Sequence, residues 1–166
     1  MGAFEGIKNS IIHLRLKMLP SSFILALTGY AANPSKPENL AENLGDLFWV
    51  FLSYSILIWG GTCAYNSYME RDTDQGAPLN HLEFPPPIPR YLGVFGVACM
   101  IAGVAIASCL GTLPFLFALG FVILSLLYST PLGRWKGKQI GILDNFINAL
   151  DARLGIFIAW FDAYCS

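Results

Sequence analysis

The segment Asn66-Ser67-Tyr68-Met69-Glu70-Arg71-Asp72-Thr73-Asp74 follows an apolar run that extends from about Leu47 to Tyr65 without a charge. Asn66, Glu70 and Asp74 are four residues apart, so on a helix they lie along one slowly winding stripe, about 12 Å from end to end. Their amide and carboxylate oxygens are ligands that Mg²⁺ prefers. Carboxylates at a helix C-terminus are unfavourable unless a cation compensates them. The segment therefore predicts a magnesium site at the end of an apolar helix.

The composition indicates that this helix lies in a membrane. The 166 residues are 55% hydrophobic and only 13% charged, whereas soluble domains have about 25% charged residues. A helix needs about 20 mostly apolar residues to cross a bilayer, and the chain offers five such stretches. We therefore predict an all-α, polytopic membrane bundle that forms a single domain over residues 1–166, with helices at about 14–32, 47–69, 90–110, 112–130 and 142–163.

The basic residues predict the orientation. Eight of the ten form three groups: Lys8, Arg15 and Lys17; Arg71 and Arg90; and Arg134, Lys136 and Lys138. With five spans, all three groups lie on one side of the membrane, which the positive-inside rule makes cytoplasmic. The N-terminus and both motif loops are thus predicted to be cytoplasmic. The first helix has an alternative interpretation as a secretory signal peptide, because its charge-free part, Met18 to Ala32, is short and follows a basic segment.

A second polar segment, Tyr128-Ser129-Thr130-Pro131-Leu132-Gly133-Arg134-Trp135-Lys136-Gly137-Lys138, follows the fourth apolar run. Taken alone, it is typical of a cytoplasmic basic cluster with interfacial aromatic residues. If it lies at the same membrane face as the stripe of Asn66, Glu70 and Asp74, the segment has a second interpretation. Carboxylate-bound Mg²⁺ together with arginine and lysine holds a diphosphate and neutralises its charge as it leaves.

The two segments together resemble the UbiA superfamily of intramembrane prenyltransferases. Its first aspartate-rich motif reads N-D-x-x-D-R-x-x-D at the end of the second helix, and a Y-S-x-P-P-x-K-x-K segment follows the fourth. The matching positions are Asn66, Arg71 and Asp74 in the first motif, and Tyr128-Ser129-Thr130-Pro131, Arg134 and Lys136 in the second. Such enzymes ionise an isoprenyl diphosphate and trap the allylic cation on an acceptor, typically an aromatic ring. A related branch cyclises terpenes instead.

The resemblance implies a fold, substrates and site residues. The chain would correspond to the first half of the nine-helix UbiA fold, with an isoprenyl diphosphate and a lipophilic acceptor as substrates and Mg²⁺ as cofactor. Asn66, Glu70 and Asp74 would hold Mg²⁺ on the diphosphate. The residues implied to contact the diphosphate or line its pocket are Arg71, Tyr128, Arg134 and Lys136. No individual catalytic residue is implied, and no pattern in the sequence indicates binding of nucleic acid.

Departures from the family pattern leave three hypotheses open. Ser67 and Glu70 stand where the first motif has aspartates, the loop from Gln75 to Pro89 has no lysine or arginine, and the second aspartate-rich motif has no counterpart. In the first hypothesis, the chain is a prenyltransferase, as a fragment or as a homo-oligomer that rebuilds the cavity. Alternatively, it is a truncated, non-catalytic half-length relative or partner subunit, or an unrelated small membrane scaffold. As a homo-oligomer or as a partner subunit, the chain would need a second subunit to complete the bundle.

Overall fold

The computed structural model describes residues 3–16, 19–20, 24, 27–28, 31, 44–70 and 87–129. Within these ranges every regular element is a helix, which confirms the predicted all-α class. Helix α1 is Ala3–His13; helix α2 continues through Leu44–Val50, Phe51–Trp59 and Gly60–Glu70; helix α3 is Leu92–Leu110; and helix α4 is Thr112–Ser129.

Three of these helices are long and apolar enough to cross a bilayer. They are α3, α4 and the Leu44–Met69 part of α2. They contain 19, 18 and 26 residues, which at the helical rise corresponds to about 27 to 39 Å. The sequence predicts helices at about 47–69, 90–110 and 112–130 in this part of the chain, close to the observed bounds. The agreement arises because the length of an apolar run is set by the thickness of the bilayer.

The predicted helix at about 142–163 lies outside the described residues, as does much of the one at about 14–32. Where the structure describes the start of the latter range, it shows a turn. Helix α1 ends at His13, and Arg15 has a φ of 54°, which interrupts a right-handed helix. Helix α1 is not among the predicted spans because its segment is too short and too polar to be recognised as one.

Helix α1 turns three polar side chains toward the protein. Asn9, Ser10 and His13 are buried, whereas Phe4 and Ile7 are exposed. The helix packs against the Gly60–Glu70 part of α2. The exposed face also carries the charged residues Glu5 and Lys8. The packing thus brings polar side chains of α1 toward the end of α2 that carries the first motif.

Helices α2 and α3 approach closely at two glycines. A Cβ atom added to Gly96 would lie 2.7 Å from the carbonyl oxygen of Gly61, and one added to Gly61 would lie 2.7 Å from the carbonyl oxygen of Gly96. Farther along the same interface, Ser53 Oγ donates a hydrogen bond to the carbonyl oxygen of Gly103 over 2.8 Å. Small residues let membrane helices pack backbone against backbone, and polar side chains then bond across the contact.

The middle of α2, Phe51–Trp59, has π-helical hydrogen bonding, which the apolar pattern does not predict. Its Tyr54 is fully buried and donates to the carbonyl oxygen of Pro114 over 2.5 Å. Pro114 lies in the first turn of α4, where a helix tolerates proline. Gly111 separates α3 from α4 and has a φ of 145°, a conformation that other residues rarely adopt. The core that these three helices share contains Leu47, Val50, Tyr54, Ile58, Met100, Ala107, Ala118, Phe121 and Val122.

Candidate functional site

The last turns of α2 and α4 meet through a polar contact. Ser129 Oγ donates a hydrogen bond to Asn66 Oδ1 over 3.3 Å, between residues 63 positions apart in the chain. Ser129 is almost fully buried and Asn66 is half-buried. Asn66 opens the first sequence motif, and Ser129 belongs to the second. The structure therefore brings the described residues of the two motifs together at one end of the bundle.

A third segment reaches the same end of α2. Arg15, in the turn after α1, donates from Nη2 to Ser67 Oγ over 3.5 Å, which is long for a hydrogen bond. Ser67 is fully buried and directly follows Asn66. Three parts of the chain, namely the turn after α1, the end of α2 and the end of α4, are thus joined by side-chain contacts around two adjacent residues.

Small residues on α2 allow the turn after α1 to come this close. Leu14 packs against Gly60, where an added Cβ would lie 3.3 Å from the Leu14 Cβ. Leu14 also belongs to a buried cluster with Ala64. Gly60, Ala64 and Ser67 are spaced i, i+4, i+7 and therefore share one face of α2. The apolar contact of Leu14 holds the backbone from which Arg15 extends to Ser67.

The model of the UbiA prenyltransferase family matches residues 22–164. The chain belongs to the UbiA prenyltransferase family. No curated protein and no solved structure matches it. Together with the three candidate spans, membership of the UbiA family makes the chain an integral membrane protein. Helix α1 and Arg15 precede the residues that the family model covers.

The structure describes two of the UbiA-type site residues that the sequence predicts. Asn66 bonds to Ser129, and Tyr128 lies half-buried in the last turn of α4. The backbone of Glu70 ends α2, but its side chain lies outside the described part. The remaining predicted residues, which also lie outside it, are Arg71, Asp74, Arg134 and Lys136.

The magnesium that the UbiA family implies takes oxygen donors, and Asn66 offers one of them at this end of the bundle. Asn66 Oδ1 accepts one hydrogen bond from Ser129, and a carbonyl oxygen has two lone pairs, so this atom has the capacity to ligate a cation as well. An amide oxygen and carboxylates are the hard oxygen donors that Mg²⁺ takes. Among the residues that the structure describes, no group of three or more His, Cys, Asp or Glu side chains could hold a metal ion. Of the three assigned ligands Asn66, Glu70 and Asp74, the structure describes the side chain of Asn66.

Two residues in these contacts, Arg15 and Ser67, are not predicted by the sequence. The charge pattern presents Arg15 only as part of a basic, positive-inside group, and the motif presents Ser67 only as a departure from an aspartate. Their contact joins residues 52 positions apart. No periodicity in a sequence reports such a separation, because it depends on how α1 turns and packs against α2.

Proposed function

We propose that this chain binds an isoprenyl diphosphate within the membrane and takes part in Mg²⁺-dependent transfer of the isoprenyl group to an aromatic or other lipophilic acceptor. The observation that carries the proposal is the hydrogen bond from Ser129 to Asn66. It joins the motif assigned to the metal with the motif assigned to the diphosphate. Membership of the UbiA prenyltransferase family supports the same reaction class.

The proposed roles follow from the donor types. Asn66, Glu70 and Asp74 would hold Mg²⁺, which when bound would neutralise negative charge on the diphosphate. Ser129 would orient the Asn66 carboxamide, because its hydroxyl donates to Oδ1 and so directs that oxygen rather than the amide nitrogen toward α4. The diphosphate oxygens would be contacted by Arg71, Arg134 and Lys136, while Tyr128 would line the pocket.

The apolar helices would exclude water from the reacting isoprenyl chain. An allylic cation reacts with water, so the isoprenyl chain must ionise where water is excluded. Helices α2, α3 and α4 share a buried apolar core, and the described polar contacts of the site lie at its motif end. This arrangement supports a diphosphate at the membrane face and an isoprenyl tail among the helices.

The same geometry supports a cytoplasmic location for the site. Arg15 contacts the end of α2 that carries the first motif, so one of the N-terminal basic residues lies at the same end of the bundle as that motif. By the positive-inside rule, basic residues beside a span favour the cytoplasmic side. We therefore propose that the N-terminus and the motif loops are cytoplasmic.

A second candidate function is a non-catalytic relative or partner subunit within the same family. It is favoured by Ser67, a buried hydroxyl in contact with Arg15 at a position where the family motif has a carboxylate. Such a chain would bind the diphosphate weakly or would complete a bundle with a second subunit. Substrate binding and substrate turnover therefore have to be measured separately.

The deciding experiment measures binding of geranylgeranyl thiolodiphosphate to the detergent-solubilised chain, with Mg²⁺ and with EDTA. We expect Mg²⁺ to strengthen binding and Asp74→Ala to remove that effect. Asp72→Ala is the matched control, because a helix would point residue 72 about 200° away from Glu70. Absence of binding by a helical, monodisperse protein, or equal losses in both variants, would overturn the proposal.

Turnover then separates the two candidates. The native diphosphate is incubated with aromatic acceptors, and prenylated products are detected by mass spectrometry. Mg²⁺-dependent product that disappears in Asp74→Ala supports the enzyme. Mg²⁺-dependent binding without product supports the non-catalytic subunit.

A further inference from the structure

Ser55 carries a buried hydroxyl that the fold leaves unsatisfied. Its side chain is fully buried, and its Oγ has no hydrogen-bond partner in the part of the chain that the structure describes. A serine or threonine inside a helix can bond to the carbonyl oxygen four residues back, as Thr62 does with Ile58 over 2.9 Å. Ser55 lies in the π-helical segment Phe51–Trp59 and makes no such bond. A hydroxyl without a partner is costly inside a bilayer, where no water replaces one.

The neighbouring residues on α2 fix the direction in which Ser55 points. Ser53 bonds to α3 through the Gly103 carbonyl oxygen, and Tyr54 bonds to α4 through the Pro114 carbonyl oxygen. Each residue advances by about 80° to 100° around such a helix, so Ser55 points away from α3 and one step beyond α4. The two helices that bond to its neighbours therefore leave the Ser55 hydroxyl without a partner.

One face of α2 leads from the first motif into the membrane. Its residues are spaced i, i+4, i+8 and i+11, and we call it the Ser55 face: Ser55, Trp59, Cys63 and Asn66. Cys63 is buried, and Trp59 is half-buried against the apolar core. At the α-helical rise, Trp59 lies about 10 Å and Ser55 about 16 Å from Asn66 along the axis. Ser55 is therefore close to the middle of the span Leu44–Met69.

The depths along the Ser55 face match the parts of an aromatic acceptor. With Mg²⁺ and the diphosphate at Asn66, as proposed, the reacting carbon of the isoprenyl group would lie below them. An acceptor ring that meets this carbon from farther inside the membrane would reach the depth of Trp59, and an indole stacks on aromatic rings. An oxygen on the far side of that ring would lie at the depth of Ser55, whose hydroxyl can donate and accept. An isoprenyl tail has no polar atom and cannot satisfy this hydroxyl.

We infer that the Ser55 face is the subsite for the acceptor, in which Trp59 stacks on an aromatic ring and Ser55 forms a hydrogen bond with an oxygen of that ring. The inference rests on the proposed function, because it assigns the second substrate of the same site. The Ser55 hydroxyl lacks a partner in the described chain because its partner arrives with the acceptor. It follows that Ser55 contributes to binding of an oxygen-bearing ring and does not contribute to stability.

The test measures binding of 1-naphthol and of 1-methylnaphthalene to the chain in lipid nanodiscs, with the amount bound by empty nanodiscs subtracted. In the second probe a methyl group replaces the hydroxyl. Binding is measured with Mg²⁺ and geranylgeranyl thiolodiphosphate present, and again without them. We expect Ser55→Ala to weaken 1-naphthol binding about twofold to tenfold, as for loss of one hydrogen bond, and to leave 1-methylnaphthalene binding unchanged. Trp59→Leu should weaken binding of both probes, because it removes the stacking.

Ser53→Ala is the matched control, because Ser53 is equally buried, lies two residues away and has its partner in α3. It should destabilise the chain in a titration with a denaturing detergent and leave both Kd values unchanged. Ser55→Ala should leave the stability unchanged or raise it, since it removes a hydroxyl that has no partner. A Ser55→Ala variant that does not fold, or that is destabilised as much as Ser53→Ala with an unchanged Kd for 1-naphthol, shows a structural serine and overturns the inference.

The outcomes distinguish this inference from the proposed function. Absent 1-naphthol binding, or an unchanged Kd in Ser55→Ala, beside Mg²⁺-dependent diphosphate binding that Asp74→Ala removes, overturns the subsite and leaves the proposed function standing. Weaker 1-naphthol binding in Ser55→Ala, beside an unaffected Asp74→Ala, supports the subsite and overturns the magnesium stripe. A folded wild-type chain that binds neither the diphosphate nor 1-naphthol overturns both.

Discussion

The Ser129 hydroxyl donates a hydrogen bond to Asn66 Oδ1 over 3.3 Å and so ties the end of α4 to the end of α2. Both residues lie in motifs that are recognisable separately in the sequence. The bond holds the Asn66 carboxamide in one of its two orientations, and we therefore predict that Ser129 affects ligand binding through Asn66.

Removing the Ser129 hydroxyl should affect ligand binding more than folding. We expect Ser129→Ala to lower the free energy of unfolding by only about 0.5 to 1 kcal/mol, as for other hydrogen bonds between membrane helices. The affinity for the thiolodiphosphate in Mg²⁺ should fall several-fold, because the carboxamide is no longer oriented. Ser125→Ala, a buried serine one turn earlier on α4, should leave that affinity unchanged. Equal losses in both variants would contradict the role given to Ser129.

The effect of Ser129 should act through Asn66. Asn66→Leu removes the amide oxygen, and we expect it to remove the Mg²⁺-dependent part of binding while the part measured in EDTA remains. In the Asn66→Leu background, Ser129→Ala should have no further effect on the Kd. A double-mutant cycle of the four Kd values measures this coupling. Additive effects of the two substitutions would show that Ser129 acts on the ligand by another route.

The close contact of α2 and α3 should not tolerate a side chain at Gly96. In Gly96→Ala the new Cβ would lie 2.7 Å from the Gly61 carbonyl oxygen and 2.8 Å from the Tyr65 nitrogen. Both atoms are backbone, so the helices must separate. We expect a loss of about 1 to 3 kcal/mol in the free energy of unfolding, measured by titration with a denaturing detergent.

Gly120→Ala is the matched control for this substitution, because nothing lies within 4 Å of a Cβ built at Gly120. In α4 it should be neutral or stabilising by up to about 1 kcal/mol, since alanine favours helix more than glycine does. If Gly120→Ala destabilised the chain as much as Gly96→Ala, the glycine contact would not be the cause.

Loss of the Tyr54 hydroxyl should destabilise the bundle without changing the site. Its partner, the Pro114 carbonyl, lies at the opposite end of α4 from Ser129, about 22 Å along the helix. We expect Tyr54→Phe to lower the free energy of unfolding by about 0.5 to 2 kcal/mol. The Kd for the thiolodiphosphate should stay the same. Tyr91→Phe, at an exposed tyrosine, should change neither quantity.

The magnesium stripe shows how far the sequence leads into the site. The spacing of Asn66, Glu70 and Asp74 is a local helical property, so the sequence alone predicts a ligand set. Whether the three oxygens meet one ion depends on side-chain positions, and of these the structure describes Asn66. The roles of Glu70 and Asp74 therefore stay predictions, which Asp74→Ala tests.

Arg15 shows the opposite case. Its charge is visible in the sequence, but its contact with Ser67 requires that α1 ends at His13, that the chain turns in the left-handed region, and that Leu14 packs on Gly60. The last of these conditions joins residues distant in sequence. The charge pattern alone predicts only a side of the membrane.

The sequence by itself determined the helical class, the residues of three membrane spans and the family, because the length of an apolar run and the spacing of a motif are local properties. Only the tertiary structure decided which residues meet: Asn66 with Ser129, Ser67 with Arg15, and Gly61 with Gly96. The physical reason is that bilayer thickness sets where helices begin and end, whereas their pairing depends on which faces allow close packing and which polar groups find partners inside the bundle.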